Sequence, residues 1–127
     1  LVRLDRPDPV AAWNDHLDAL AARRDRLNDK RYHALRYRGP GTDLTIGLAP
    51  GHVWVSGRST SGHGIPFTAN LPTEEVFTMP HRDRVHGTVR STKPLSYGGV
   101  LIEDFSMRFE NGRIVQVTAR QGQSVLE

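Results

Sequence analysis

Glycine occurs only in the part of the chain after residue 38, and this distribution most strongly limits the folds available. All 12 glycines of the 127 residues lie there, together with six of the eight prolines. Both residue types interrupt regular secondary structure. The chain after residue 38 is therefore predicted to form short strands that Gly and Pro interrupt.

An amphipathic helix is predicted to begin at Asp8-Pro9. Aspartate at this position can accept hydrogen bonds from free amides, and proline at the first helical position loses no needed bond. Apolar residues then recur at spacings of three, four, three and seven, namely Val10, Trp13, Leu17, Leu20 and Leu27. This single apolar stripe predicts a helix that runs to about Asn28. We expect His16 to lie on the polar face of this helix.

Alternating apolar residues predict short strands after the helix. The pattern occurs at Leu35/Tyr37, Leu44/Ile46/Leu48, Val53/Val55 and from Val85 to Arg90. Residues 59–72 are rich in Ser, Thr, Gly and Pro and predict a long loop. Because 127 residues suit one domain, we predict a single α+β domain over residues 1–127. Its N-terminal helix packs on a mostly antiparallel, partly barrel-like sheet.

A hairpin around Asn111-Gly112 is predicted to end the sheet. Its inward-facing residues are Phe105, Met107 and Phe109 on one strand, and Val115 and Val117 on the other. A two-residue loop would place Met107 opposite Gln116, which mixes apolar with polar. A three-residue loop, 110–112, places Met107 opposite Val115. We therefore expect the longer loop, with Gly112 left-handed at a bulge.

The composition excludes several classes of function. Cysteine is absent, which removes disulfides, thiolate metal sites and thiol nucleophiles. No apolar run approaches the ~20 residues of a transmembrane helix, so no membrane partner is expected. The net charge of +3 arises in residues 1–38, where nine Lys/Arg stand against six Asp. A solvated helix face explains this excess better than nucleic-acid binding, because no basic stripe with stacking aromatics accompanies it.

Two adjacent carboxylates, Glu74 and Glu75, are the main candidates for chemistry. They stand at the start of a short predicted strand, in which neighbouring side chains point to opposite faces. One of them would face inward with Phe77 and would need a cation or hydrogen bonds to compensate. Carboxylate oxygens suit divalent metals, but spacing alone favours a surface pair answered by Arg82 or Arg84. The six histidines show no metal-binding spacing.

Two long motifs resemble the thermophilic metalloaminopeptidase family. They are RGPGTDLTIGL at residues 38–48 and NLPTEEVFT at residues 70–78. The shorter stretches DPVAAW at residues 8–13 and GRIV at residues 112–115 fit the same family, as does the spacing between the long motifs. The resemblance covers nearly the whole chain and implies the first part of the catalytic domain.

The resemblance implies a cytoplasmic, homodimeric exopeptidase that removes N-terminal residues from peptides with two divalent metal ions, which are cobalt, zinc or magnesium. In this family the second Glu of the TEE run is a metal ligand, and this position is Glu75. Glu74 is expected to have a supporting or surface role. The other family ligands are a Glu, two His and an Asp, with a Tyr nearby. They match no residue present here and are expected downstream, so no catalytic residue is assigned.

We therefore expect a fragment that is inactive and binds no metal tightly when isolated. The lack of an initiator Met and of the other ligands favours this interpretation. The alternative is a stand-alone, non-catalytic β-rich binding or assembly domain related to these enzymes. A truncated sheet would expose unpaired edges and apolar surface, so we also expect self-association.

Overall fold

The computed structural model describes residues 2–127 and combines one long helix with antiparallel strands. Its contacts divide the chain into two compact units. The first contains the residues up to Tyr32 together with Gly51–Met79, and the second contains His33–Pro50 together with Pro80–Glu127. The long helix lies in the first unit and a five-stranded sheet lies in the second. The α+β prediction is confirmed.

The elements have the following bounds. In chain order they are α1 (Pro9–Lys30), β1 (Ala34–Gly39), β2 (Thr42–Leu48), β3 (Arg58–Thr60), β4 (Pro66–Thr68), β5 (Pro80–Arg90), β6 (Leu95–Tyr97), β7 (Val100–Ile102), β8 (Ser106–Glu110), β9 (Arg113–Thr118) and a 3-10 helix (Gln123–Val125). Within residues 2–127, every pairing between these strands is antiparallel.

Helix α1 begins where its capping residue predicts. The side chain of Asp8 accepts a hydrogen bond of 2.9 Å from the backbone N–H of Ala11, which satisfies one of the free amides of the first turn. The apolar stripe buries Trp13, Leu17 and Leu20. Val10 belongs to the same stripe in sequence but is 72% exposed, so the buried face begins one turn later than predicted.

Irregular chain from the same unit covers the buried face of α1. The side-chain amide of Asn28 pairs with the backbone of Trp54. It donates to the carbonyl oxygen at 3.1 Å and accepts from the N–H at 2.8 Å. Gly57 lies directly against Leu17. Trp54 is itself buried, so the helix and residues 54–57 share one apolar core.

The five-stranded sheet of the second unit is open. Its strand order is β1-β2-β5-β8-β9, and it is not closed into a barrel. Strand β2 lies inside the sheet, and its Leu44 and Leu48 are buried. The register between β2 and β5 shifts between Ile46 and Leu48, which is the local irregularity expected of a β-bulge.

The β8–β9 hairpin differs from its predicted register. Asn111 and Gly112 form a two-residue loop with φ of 49° and 76°, as a type I′ turn requires. The pairs are Glu110↔Arg113, Phe109↔Ile114, Arg108↔Gln116 and Met107↔Val117. Val115 is therefore the extra residue of a β-bulge, which realigns Met107 with an apolar partner. The predicted three-residue loop is wrong because the bulge lies inside the strand and not at the turn.

Three other segments also differ from the prediction. The long loop over residues 59–72 contains most of the β3–β4 hairpin, in which Ser61 donates to Ile65 at 2.9 Å. The strand predicted at Val53/Val55 is reduced to an isolated bridge. Hairpin β6–β7 was not predicted, because strands of three residues are too short to show a period of two.

Candidate functional site

The two candidate carboxylates lie in an extended segment of the first unit, residues 73–78. One antiparallel bridge holds this segment. Within it, Phe77 donates to the carbonyl oxygen of Val55 at 3.0 Å, and Val55 donates back at 2.9 Å. The hydroxyl of Thr78 donates to the carbonyl oxygen of Val53 at 2.8 Å. The continuous strand predicted here is therefore limited to the bridge at Phe77.

Glu74 and Glu75 have different surroundings. Glu74 lines a groove of about 340 Å³ beside helix α1, whose lining residues are Leu20, Arg23, Arg26, Leu27, Glu74 and Val76. Both glutamates are exposed, the Glu74 side chain at 52%, and so is Phe77, at 52%. The prediction that a Glu faces inward with Phe77 is wrong, since the helix side of the segment is occupied by Glu74 and Val76.

The basic residue observed beside the carboxylate pair is not the predicted arginine. Arg82 was a predicted partner, but its guanidinium lies 3.7 Å from the carboxylate of the adjacent Asp83. The basic side chain beside Glu74 is His16, whose Nε2 lies 3.3 Å from Oε2 of Glu74. A helix residue from far earlier in the chain therefore contacts Glu74.

His16 is the residue that the sequence interpretation misplaced. Its side chain is only 10% exposed, not part of a polar face. Nε2 lies 2.8 Å from the carbonyl oxygen of Thr73. Because a carbonyl only accepts, Nε2 must carry the hydrogen. The signal was available in the spacing, since His16 follows Trp13 by three residues and precedes Leu20 by four, as a member of the apolar stripe would.

Glu75 is the residue that the family resemblance predicts as a metal ligand. Its carboxylate is a hard oxygen donor of the kind that divalent cations prefer, and it is accessible at the surface. Across residues 2–127, no three side chains of His, Cys, Asp or Glu come together as a possible metal site.

In the described part of the chain, no helix is both long enough and apolar enough to cross a bilayer.

Comparison with known proteins relates the whole chain to one family of peptidases. The model of the family described as thermophilic metalloprotease (M29) matches residues 1–127. Aminopeptidase 2 from Geobacillus stearothermophilus is 50% identical over all 127 residues. Aminopeptidase T from Thermus aquaticus is 52% identical over 125 residues, which are 98% of this chain. The chain spans 31% of the length of each of these relatives.

A solved structure shares the fold. The structure of wild-type AmpT from Thermus thermophilus superposes on 93% of this chain with a TM-score of 0.89 and 51% sequence identity. The matched region is 30% of that protein. The likeness of fold and sequence therefore extends over both units of this chain but over less than a third of its relatives.

Proposed function

Because the chain belongs to the M29 family of thermophilic metalloproteases, we propose that it forms part of the catalytic domain of a metal-dependent aminopeptidase. The observation that carries the proposal is the match over all 127 residues, at about half identity, to proteins named aminopeptidases. The reaction would release N-terminal amino acids from peptides. The chain spans 31% of the length of these relatives, and the activity is proposed for the full-length protein that contains it.

We assign Glu75 as one ligand of the metal centre, with the other ligands outside these 127 residues. The resemblance of residues 70–78 to the family motif supports this role, and the exposure of Glu75 is compatible with contact to ligands from outside its own unit. Glu74 is assigned a supporting role, which its 3.3 Å contact with His16 supports. The proposal includes two divalent ions, with cobalt, zinc or magnesium as candidates.

Chemistry of this type uses divalent metal to polarise the scissile carbonyl and to lower the pKa of bound water toward neutrality. This chain contributes by holding two carboxylate side chains in position. Glu75 offers an oxygen ligand from a segment that a backbone bridge holds at Phe77. Glu74 contacts helix α1 through His16. The substrate class is peptides with a free amino terminus.

We also propose a homodimeric, cytoplasmic enzyme. Large apolar side chains of the first unit are exposed near the carboxylate segment, among them Leu71, Phe77 and Met79 at 60%, 52% and 70%. Surface of this kind is available to contact the rest of a longer polypeptide or a second copy. Analytical ultracentrifugation of the full-length protein checks the dimer, and a monomer at assay concentrations would contradict it.

The test compares two neighbouring carboxylates in the full-length protein that contains this chain. Hydrolysis of leucyl-anilide is measured with added cobalt or zinc. We expect Glu75→Gln to lower kcat/KM by roughly 10²-fold or more, and Glu74→Gln by about 10-fold or less. Glu110→Gln, at an exposed residue of the other unit, is the matched control and should retain activity. Equal losses at Glu74 and Glu75 would contradict the assignment.

Calorimetric titration of the 127-residue chain with cobalt and zinc tests whether ligands are missing. We expect no tight stoichiometric binding, because Glu75 alone cannot hold a divalent ion against water. Tight binding with turnover would mean that the other ligands come from these residues. The assignment of those ligands to a longer polypeptide would then be wrong.

A further inference from the structure

A buried histidine joins helix α1 to the segment that carries Glu75. Nε2 of His16 donates to the carbonyl oxygen of Thr73 at 2.8 Å. The imidazole is nine-tenths buried and Thr73 is 6% exposed. Water therefore competes little for this bond, and a buried carbonyl left without a donor is costly. The bond fixes the backbone two residues before Glu75.

Other contacts restrict the position of the imidazole. Its ring centroid lies 5.0 Å from that of Trp13, which is buried in the core of the same unit. Its Nε2 also lies 3.3 Å from Oε2 of Glu74. The ring is thus held by its own helix on one side and by a carbonyl and a carboxylate on the other. Few other positions remain open to it.

The segment is anchored symmetrically about Glu75. Thr73 is held two residues before it by His16, and Phe77 is held two residues after it by the bridge to Val55. Between these anchors the segment has no regular secondary structure. The direction of the Glu75 carboxylate therefore depends on both anchors. This dependence matters because a metal ligand must be held to within roughly 0.5 Å of its position.

We infer that His16 is a positioning residue, which fixes the Thr73 carbonyl and thereby holds the backbone that carries the Glu75 side chain. The inference rests on the proposed function, since the direction of Glu75 matters only if its carboxylate enters the active site. His16 acts through the backbone and contacts neither the substrate nor the metal.

The first test measures amide hydrogen exchange in the 127-residue chain. His16→Leu removes the donor, and His16→Gln keeps a side-chain N–H. We expect His16→Leu to speed exchange at the bonded amides of Phe77 and Val55 by about 10-fold or more, and His16→Gln by less than about 3-fold. The Leu48 amide, bonded to His33 at 2.9 Å in the other unit, is the internal control and should not change.

Two results of this test would overturn the inference. One is unchanged exchange at Phe77 in His16→Leu. The other is equal acceleration at Phe77 and Leu48, which would make His16 a general packing residue. The wild-type chain gives an independent check that needs no variant. Nitrogen-15 NMR should show the Nε2–H tautomer of His16, and the opposite tautomer would overturn the inference even if His16→Leu failed to fold.

The second test measures kinetics in the full-length protein. We expect His16→Leu to lower kcat and metal affinity by about 10- to 100-fold with little change in KM, and His16→Gln to restore most of the loss. Unchanged kcat in His16→Leu, beside a large loss in Glu75→Gln, would overturn the inference alone. Full activity in Glu75→Gln would overturn the proposed function, while the exchange result would still decide whether His16 anchors Thr73.

Discussion

Gly57 and Thr73 lie so close together that a β-carbon on Gly57 would stand 2.6 Å from Cγ2 of Thr73. It would also stand 2.9 Å from Cδ2 of Leu17. Both neighbours are buried, so neither can move without disturbing the core. We predict that Gly57→Ala lowers the free energy of unfolding by about 1–3 kcal/mol through overpacking. Urea unfolding followed by circular dichroism measures this change.

A second glycine in the same unit serves as the control. A β-carbon on Gly62 would meet nothing within 4 Å, and its φ is not left-handed. Gly62→Ala should therefore change the free energy of unfolding by less than about 0.5 kcal/mol. Similar losses in the two variants would show that close approach at Gly57 does not limit the packing of helix α1.

Asp43 and Arg36 form a cross-strand ion pair between β1 and β2. The guanidinium donates to both carboxylate oxygens at 3.0 Å. The hydrogen bonds from Arg36 lower the pKa of Asp43, and the more distant charge of Arg38 adds to the shift. Because the pKa is lower in the folded chain, the stabilisation is present above the ordinary carboxyl pKa. It is lost as pH falls through the folded value.

Two arginine variants separate these contributions. In an NMR titration of the Asp43 carboxyl, Arg36→Gln should raise the midpoint toward its ordinary value. Arg38→Gln should raise the midpoint less, because its Nε lies 3.7 Å from the carboxylate and makes no such paired bonds. Added salt should reduce both effects, since the pair is exposed. Equal shifts of the Asp43 midpoint in the two variants would contradict the conclusion that Arg36 is the main cause of the lowered pKa.

The sequence predicts those features that depend on residues close together in the chain. The start of helix α1 follows from Asp8 and Pro9, and its buried stripe follows from a spacing of three and four residues. Caps and amphipathic stripes are local, so a single sequence contains most of the information that they need. The left-handed conformation of Gly112 is confirmed for the same reason.

The environment of the carboxylate pair could not be predicted in the same way. Strand periodicity predicts that Glu74 and Glu75 lie on different sides, but it does not say which side meets the helix. That choice depends on His16, which is 57 residues before Thr73 in the chain. A contact at such a separation depends on the packing of the whole unit, which a local pattern does not contain.

The register of the β8–β9 hairpin is a second feature that the sequence pattern could not fully predict. Apolar residues face each other across the hairpin only if it contains one extra residue. The apolar pattern does not say whether that residue lies in the turn or in a strand. Gly112 is fixed at the turn by a contact that the pattern does not contain. Its N–H donates to the carbonyl oxygen of Val85 at 3.0 Å, and its α-carbon faces the backbone of Arg82. Strand β5 therefore selects the position of the turn.

This contact predicts a difference between two left-handed glycines. Gly112 and Gly51 have φ of 76° and 71°, so alanine at either site should cost about 1–2 kcal/mol in backbone conformation. A β-carbon on Gly51 would meet nothing within 4 Å, whereas one on Gly112 would overlap the carbonyl oxygen of Arg82. Gly112→Ala should therefore destabilise the chain by about 1–3 kcal/mol more than Gly51→Ala. Urea unfolding of both variants measures the difference, and equal losses would mean that β5 does not constrain the turn.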